Sequence, residues 1–171
     1  METFEVIISR RNIRTFDARP IPTEHLTKIL EAGRRTPSSR NEQRWDFVLV
    51  EDPAQLGLLA GVWRGAGHVA HAAAAIGIVA PVTDDRDTYG SIQYDLGQAT
   101  MSMMLAAADL GIGSGHAAVV NHSMATEILG LPDGLELAWL LALGYPADRP
   151  LRPIKKPNRR PFEELVHHER W

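Results

Sequence analysis

The chain has 171 residues, 44% of them apolar and 23% charged, with a formal net charge of −3 and no cysteine. Such a composition describes an ordinary globular domain that buries roughly 70% of its unfolded surface, and its charge gives no general reason to expect nucleic acid or an acidic membrane as partner. The missing cysteine excludes disulfides, thiolate metal centres and a cysteine nucleophile, and suits a reducing cytoplasm.

The opening METFEVIISRR has its charges on the wrong side of a short apolar stretch for a secretory signal. Phe4, Ile7 and Ile8 recur at helical spacing and predict a short amphipathic helix over residues 2–9. Leu26, Ile29, Leu30 and Gly33 predict a second helix, with Thr23 as its cap. WDFVLV (45–50) reads as a strand, and Pro53 opens a further short helix to about Ala60. HVAHAAAAIGIVAPV (68–82) is too short and small-sided to span a bilayer, and its β-branched end predicts a buried strand over 74–80. A long helix runs from about Tyr89 or Ile92 to Leu110. Leu96, Ala99, Met103, Ala107 and Leu110 form its core stripe, while Met101, Met104, Leu105 and Ala108 cover the opposite side. A helix apolar nearly all round must be buried all round, which in so small a domain means a sheet on one side and a second copy on the other. GIGSGHAAV (111–119) reads as a glycine-rich turn. Its glycines either bring backbone close to a flat ligand or merely end the helix. A helix from about Ser123 to Leu129, closed by Gly130, and a central strand over 135–144 follow. One domain over 1–171 is expected, with the five-proline segment 146–171 as an extended arm that contacts a partner subunit and ends in a short helix.

The polar junction RTPSSRNEQRWDF (34–46) packs more hydrogen-bonding groups than a connecting loop needs, as a ligand-holding loop would. Basic groups cluster at Arg10, Arg11 and Arg14, at Arg34, Arg35, Arg40 and Arg44, and at Lys155, Lys156, Arg159 and Arg160. Single arginines of this kind are usually solvated or paired, but Arg10, Arg11, Arg14 and Asn12 together suit an anion such as phosphate. There is no GxxxxGK[ST], no GxGxxG after a strand, no HExxH and no GxSxG. His68 and His71 form an HxxH, with His116, His122, His167 and His168 elsewhere, but no carboxylate partner is evident, so no metal site is expected. No side chain stands out as a nucleophile or general base. A polar loop, arginines near both ends and a glycine-rich turn together describe a cradle for a cofactor that carries its own reactivity.

The sequence resembles the FMN-dependent nitroreductase family over nearly its full length. SRRNIRTFD is similar to the family's R-R-S-x-R-x-F/Y start, and RRTPSSRNEQRWDFVLV to its A-P-S-S-x-N-x-Q-P-W-x-F run. DLGQATMSMMLAAADLGIGSG resembles its D-x-G-x-A helix, and ILGLPDGLELAWLLALGYP and RRPFEELVHHERW its closing segments. The resemblance implies an α+β fold, a central mixed sheet flanked by helices, in an intertwined homodimer with FMN at the interface. It implies that Pro37, Ser38, Ser39 and Asn41 of one subunit contact the FMN held by the other. Arg10, Arg11, Asn12 and Arg14 would approach from the holding subunit, Arg160 would meet the phosphate, and the backbone at Ala118 and Val119 would meet flavin N5 or O4. Arg14 would stabilise the reduced flavin, with no side chain doing covalent chemistry. The implied activity is hydride transfer from NADH or NADPH through FMN to a nitroaromatic, quinone or similar small-molecule acceptor, by ping-pong kinetics. A flavin-fragmenting or dehalogenating activity, a non-catalytic flavin-binding dimer and, least, a nucleic-acid binder stand as alternatives. Three departures are visible: Asn12 for Ser, Arg44 for Pro, and His116 for an aromatic. Little chain lies between Ala60 and the strand at 74, where longer members build a lid, so an open site or one covered by the partner's tail is expected.

Overall fold

The computed structural model describes residues 2–171. In chain order the elements are α1 (Thr3–Ser9), α2 (Thr23–Arg34), β1 (Asp46–Val50), α3 (Pro53–Leu59), β2 (Ala74–Pro81), α4 (Arg86–Asp109), β3 (Gly113–Ala118), α5 (His122–Leu129) and β4 (Leu135–Gly144). The strands form one sheet in the order β1-β2-β4-β3. The α+β class is as expected. Each strand pairing is antiparallel, and the parallel component expected of a mixed sheet is confined to one bridge, Asn12 to Ser114.

Helices α2 and α4 cover one face of the sheet, where Leu26, Ile29, Leu96 and Met103 pack on Ile76, Ile78, Leu141 and Leu143. On the other face, α3, α5 and short 3-10 turns at Ala60–Val62 and Gly67–His71 bring Leu56, Val62, Val69 and Ala125 onto Val50, Ala75 and Leu140. With helices on both sides, β2 is buried from Ala74 to Ala80, which is why it reads as a continuous apolar run. Segment 60–73 therefore fills the underside of the sheet. The chain beside the cavities described below is instead the short β2–α4 connection, Val82–Asp85.

Several expected boundaries move for local reasons. Thr23 is not a side-chain cap: Pro22 holds the cap position in an extended conformation and Thr23 is already helical. Helix α4 begins before Tyr89 because the Asp85 carboxylate accepts the Thr88 N–H at 2.8 Å. Gly130 closes α5 at φ 62°, the left-handed region glycine tolerates best. The short helix expected in the tail is only a 3-10 turn, Phe162–Glu164. Along α4, Leu96, Ala99, Met103 and Ala107 face inward as expected, and Met104 and Ala108 are buried too. Tyr94 and Met101 remain 71% and 42% exposed and Leu105 half-buried, next to an α1 whose Phe4 is 71% exposed. These two helices present an apolar face that this single chain leaves open.

The glycine-rich stretch is not a turn but strand β3, an edge strand paired with β4 from Gly113 to Ala118. Its glycines answer to a distant contact. A Cβ on Gly115 would meet the carbonyl oxygen of Ile13, and Ile13 N–H donates to the Ser114 carbonyl at 2.8 Å. The segment after α1 thus lies tightly against β3, which fixes residues 10–14 beside residues 114–118.

Candidate functional site

Arg10, Asn12 and His116 come together around a cavity of about 400 Å³ whose far wall is Gln93, Met104 and Trp139. Residues of β3 alternate between faces, so Ser114, His116 and Ala118 share the face toward α4 while Gly113, Gly115 and Ala117 turn away. Arg10 Nη1 donates to Asn12 Oδ1 at 3.2 Å, which orients both side chains at the cavity rim. Arg14 is exposed beside His116, and the His116 imidazole is held below its ordinary pKa by burial, then by Arg14 and Arg10. Arg11 points elsewhere: its Nη2 donates to the Arg152 carbonyl at 2.8 Å and ties the tail to the first loop.

Trp139 reaches this cavity through a β-bulge. Ile78 pairs with Trp139 but Val79 pairs with Leu137, so Ala138 is an extra residue on β4. As a result Ala138 and Trp139 both face α4, whereas Leu137 and Leu140 face the other core. Trp139 Nε1 then donates to Gln93 Oε1 at 3.0 Å, and this pair separates the first cavity from a second one beyond it. Ala118 and Val119 line that second cavity. Neither Gln93 nor Trp139 was singled out from sequence. The bulge that aims Trp139 has no local signature.

The loop after α2 is built to hold one shape. Ser39 N–H donates at 2.9 Å to Asp95, a carboxylate of α4 only 3% exposed, and Ser38 Oγ accepts from Gln43 N–H at 3.0 Å. Arg40, Asn41 and Gln43 all take positive φ, a costly conformation that the surrounding bonds must enforce. Pro37 lines a third cavity, which shares Gln93, Gly97 and Met101 with the Arg10 cavity. Pro37 does not line the Arg10 cavity, and Arg10 does not line the Pro37 cavity. Asp95→Ala leaves the Ser39 N–H unpaired, at a cost of about 1–3 kcal/mol. Trypsin is then expected to cut at Arg40 or Arg44 well before it cuts the wild type, and equal digestion would show that the loop does not depend on Asp95.

Arg160 is held by Glu164, donating from Nη2 to its carbonyl at 3.0 Å. Its neighbour Arg159 lines, with Arg10, Ile8, Met101 and Ile154, a cleft between α1 and the tail. Burial and the facing Arg159 together lower the pKa of Arg10. Among the described residues, Arg10, Arg11, Arg14 and Arg159 have no carboxylate within ion-pair distance, whereas Arg34, Arg35, Arg44 and Arg160 do.

Of the histidines, His68 is buried under β3 with Nε2 3.2 Å from the Gly115 carbonyl, while His71 is exposed. Burial lowers the His68 pKa below its ordinary 6.5, partly offset by the bond to Gly115. Protons therefore bind the unfolded chain better, so this contribution to stability is full above pH 6.5 and is lost as pH falls toward the folded pKa. His116 acts in the same direction. Unfolding in urea should show stability falling from pH 7.5 to pH 5, with a shallower fall in His68→Gln. An unchanged slope would remove His68 as a cause.

The model of the Nitroreductase family matches residues 7–74 and 55–145. An Archaeoglobus fulgidus protein provisionally named NADH dehydrogenase/NAD(P)H nitroreductase is 31% identical, over 99% of both chains. The oxygen-insensitive NADPH nitroreductase of Salmonella typhimurium is 30% identical over 99% of this chain and 74% of its own. Among solved structures, the NADPH:FMN oxidoreductase of Vibrio harveyi complexed with NAD+ superposes with a TM-score of 0.81 at 26% identity, covering 99% of this chain and 77% of the other. No helix of the described residues is long and apolar enough to cross a membrane. The chain belongs to the Nitroreductase family, a family of oxidoreductase enzymes.

Proposed function

We propose that this protein is an FMN-dependent oxidoreductase that uses NADH or NADPH to reduce a nitroaromatic, quinone or similar acceptor. The observation that carries the reading is the approach of Arg10 and Arg159 across an apolar cleft with no carboxylate between them. Two guanidiniums facing one cleft, the half-buried Arg10 disfavoured by its burial and by Arg159, are a site for a doubly charged anion, and a phosphate monoester fits it. The adjoining cavity, with Asn12, His116 and Trp139, has the size and mixed lining of a cofactor site. The residues present thus suit FMN, the group named for the Vibrio harveyi relative.

In this reading Arg10 and Arg159 hold the phosphate, and Arg160, engaged by Glu164, has a smaller part. Asn12 bonds the ring system, and Arg14 supplies the fixed cation that favours its reduced, negative form. The backbone at Ala118 and Val119, which lines the neighbouring cavity, would meet the reactive edge. Arg11 acts indirectly, by holding the tail at Arg152. Bound FMN supplies the redox chemistry, accepting hydride from NAD(P)H and passing electrons on. Use of one site by donor and acceptor in turn would give ping-pong kinetics.

Pro37, Ser38, Ser39 and Asn41 belong, in this proposal, to the site of a second copy. Support comes from their separation from the Arg10 cavity and from the exposed apolar face of Phe4, Ile7, Tyr94 and Met101, which a homodimer would cover. We read the chain as one domain whose arm, 146–171, reaches that partner with Phe162 and Leu165 exposed. The cysteine-free composition favours the cytoplasm. The test is an absorption spectrum of purified protein with FMN, without oxygen, before and after NADH or NADPH. Flavin bands that bleach support the proposal. Bands that persist with both donors favour a flavin-binding protein without this activity, and protein that refuses FMN removes the reading.

A further inference from the structure

The cavity beyond the Gln93–Trp139 pair has a chemistry of its own. It measures about 360 Å³ and is bounded by Thr83 of the β2–α4 connection, Tyr89 of α4, Ala118 and Val119, and the pair His122 and Glu136. Nδ1 of His122 lies 3.4 Å from Oε2 of Glu136. The carboxylate thus lies at ion-pair distance from one ring nitrogen, and Nε2 is left as the nitrogen free to give up a proton. The groups facing His122 are Glu136 from β4, Tyr89 and Gln93 from α4 and Thr83 from the connection. No lysine or arginine lines this cavity. A histidine oriented by a carboxylate, beside a wall of backbone and an indole, is an arrangement for proton transfer to a bound small molecule. The β2–α4 connection leaves the compartment partly open.

We propose that this compartment receives the electron acceptor, a flat carbonyl compound of the quinone class, and that His122, positioned by Glu136, gives the acceptor its proton. The inference rests on the oxidoreductase reading above, which puts the reactive edge of the cofactor at Ala118 and Val119. Reduction of a quinone to a hydroquinone takes two electrons and two protons. A delivered hydride brings both electrons and one proton. The Nε2–H bond of the imidazolium breaks as an O–H bond forms on the acceptor oxygen left negative, and solvent reprotonates the neutral imidazole. Two-electron reduction of a nitro group to a nitroso group takes the same two electrons and two protons, with loss of water, so the same single donor would serve it; the quinone is the acceptor on which the proton step is tested.

The experiment compares wild type with His122→Gln as FMN-loaded protein, reduced with dithionite and mixed without oxygen with 1,4-benzoquinone or with ferricyanide. Ferricyanide takes electrons and no proton. The ratio of quinone to ferricyanide reoxidation rates is expected to fall at least about tenfold in the variant. A second readout needs no turnover. In oxidised protein, 4-hydroxyacetophenone is expected to shift the His122 ring resonances in the NMR spectrum and to leave those of His167 and His168 in place. An unchanged rate ratio, or unshifted His122 resonances at saturating probe, overturns the assignment. Failure of the broader reading is seen separately, as wild-type protein that neither NADH nor NADPH reduces.

Discussion

Arg10→Ala is expected to weaken FMN binding by about 1.5–3 kcal/mol, roughly 10- to 150-fold, and Arg159→Ala by a comparable amount. Both guanidiniums line one cleft with Ile8, Met101 and Ile154, and neither has a carboxylate partner among the described residues. Removing either takes away one of the two cations that face the phosphate in this proposal. Arg160→Ala should cost less, because Arg160 already spends its donors on Glu164. Fluorescence titration of FMN against the three variants orders them. If Arg160→Ala proves the most damaging, the tail takes a different path over the bound phosphate. If none changes affinity, the phosphate lies elsewhere.

Gly115→Ala should destabilise the protein by about 1–3 kcal/mol, because the added methyl meets the backbone oxygen of Ile13 and lies 3.1 Å from His68 Nε2. Backbone cannot rotate aside as a side chain can, so the segment 12–14 must lift off β3. FMN affinity should fall together with stability, since Arg10, Asn12 and Arg14 ride on that segment. Gly57→Ala is the matching control. Gly57 lies in α3 with nothing within 4 Å of the new methyl, and alanine there should stabilise by about 0.5–1 kcal/mol. Chemical denaturation of both variants tests the contrast. Equal stability in Gly115→Ala and wild type would mean that the Ile13–Ser114 bridge yields easily.

The parts of this fold legible in the sequence are those whose signal is local. Periodic apolar residues mark α1, α2 and α4, and the alternating or continuous apolar runs of β1, β2 and β4 mark strands. Strand β3 was hidden because GIGSGHAA has little β propensity, and its glycines answer to Ile13, about a hundred residues earlier. The bulge at Ala138 likewise depends on pairing between β2 and β4, so Trp139 entered the site unannounced. Arg159 and Arg160 are adjacent in a proline-rich segment without periodicity, and only the folded tail turns one toward Arg10 and the other toward Glu164. The carboxylate of His122 is hidden in the sequence for a similar reason: Glu136 is fourteen positions on and meets it only once α5 packs beside β4. The short segment expected beside the site is not the one found there. Segment 60–73 packs under the sheet, and the connection beside the site is Val82–Asp85.

The central claim is that each cofactor site is built from two copies of the chain, Arg10 and Asn12 from one and the Pro37–Asn41 loop from the other. The direct measurement is FMN content in mixed dimers. Arg10→Ala and the double variant Ser38→Ala/Asn41→Ala are co-expressed with different affinity tags, and dimers carrying both tags are isolated. The account predicts that each variant alone binds FMN weakly, while the mixed dimer binds one FMN per dimer with wild-type affinity, because one of its two sites is intact. Mixed dimers whose sites are all weak would contradict it, and would place the loop and the arginines in the same subunit's site.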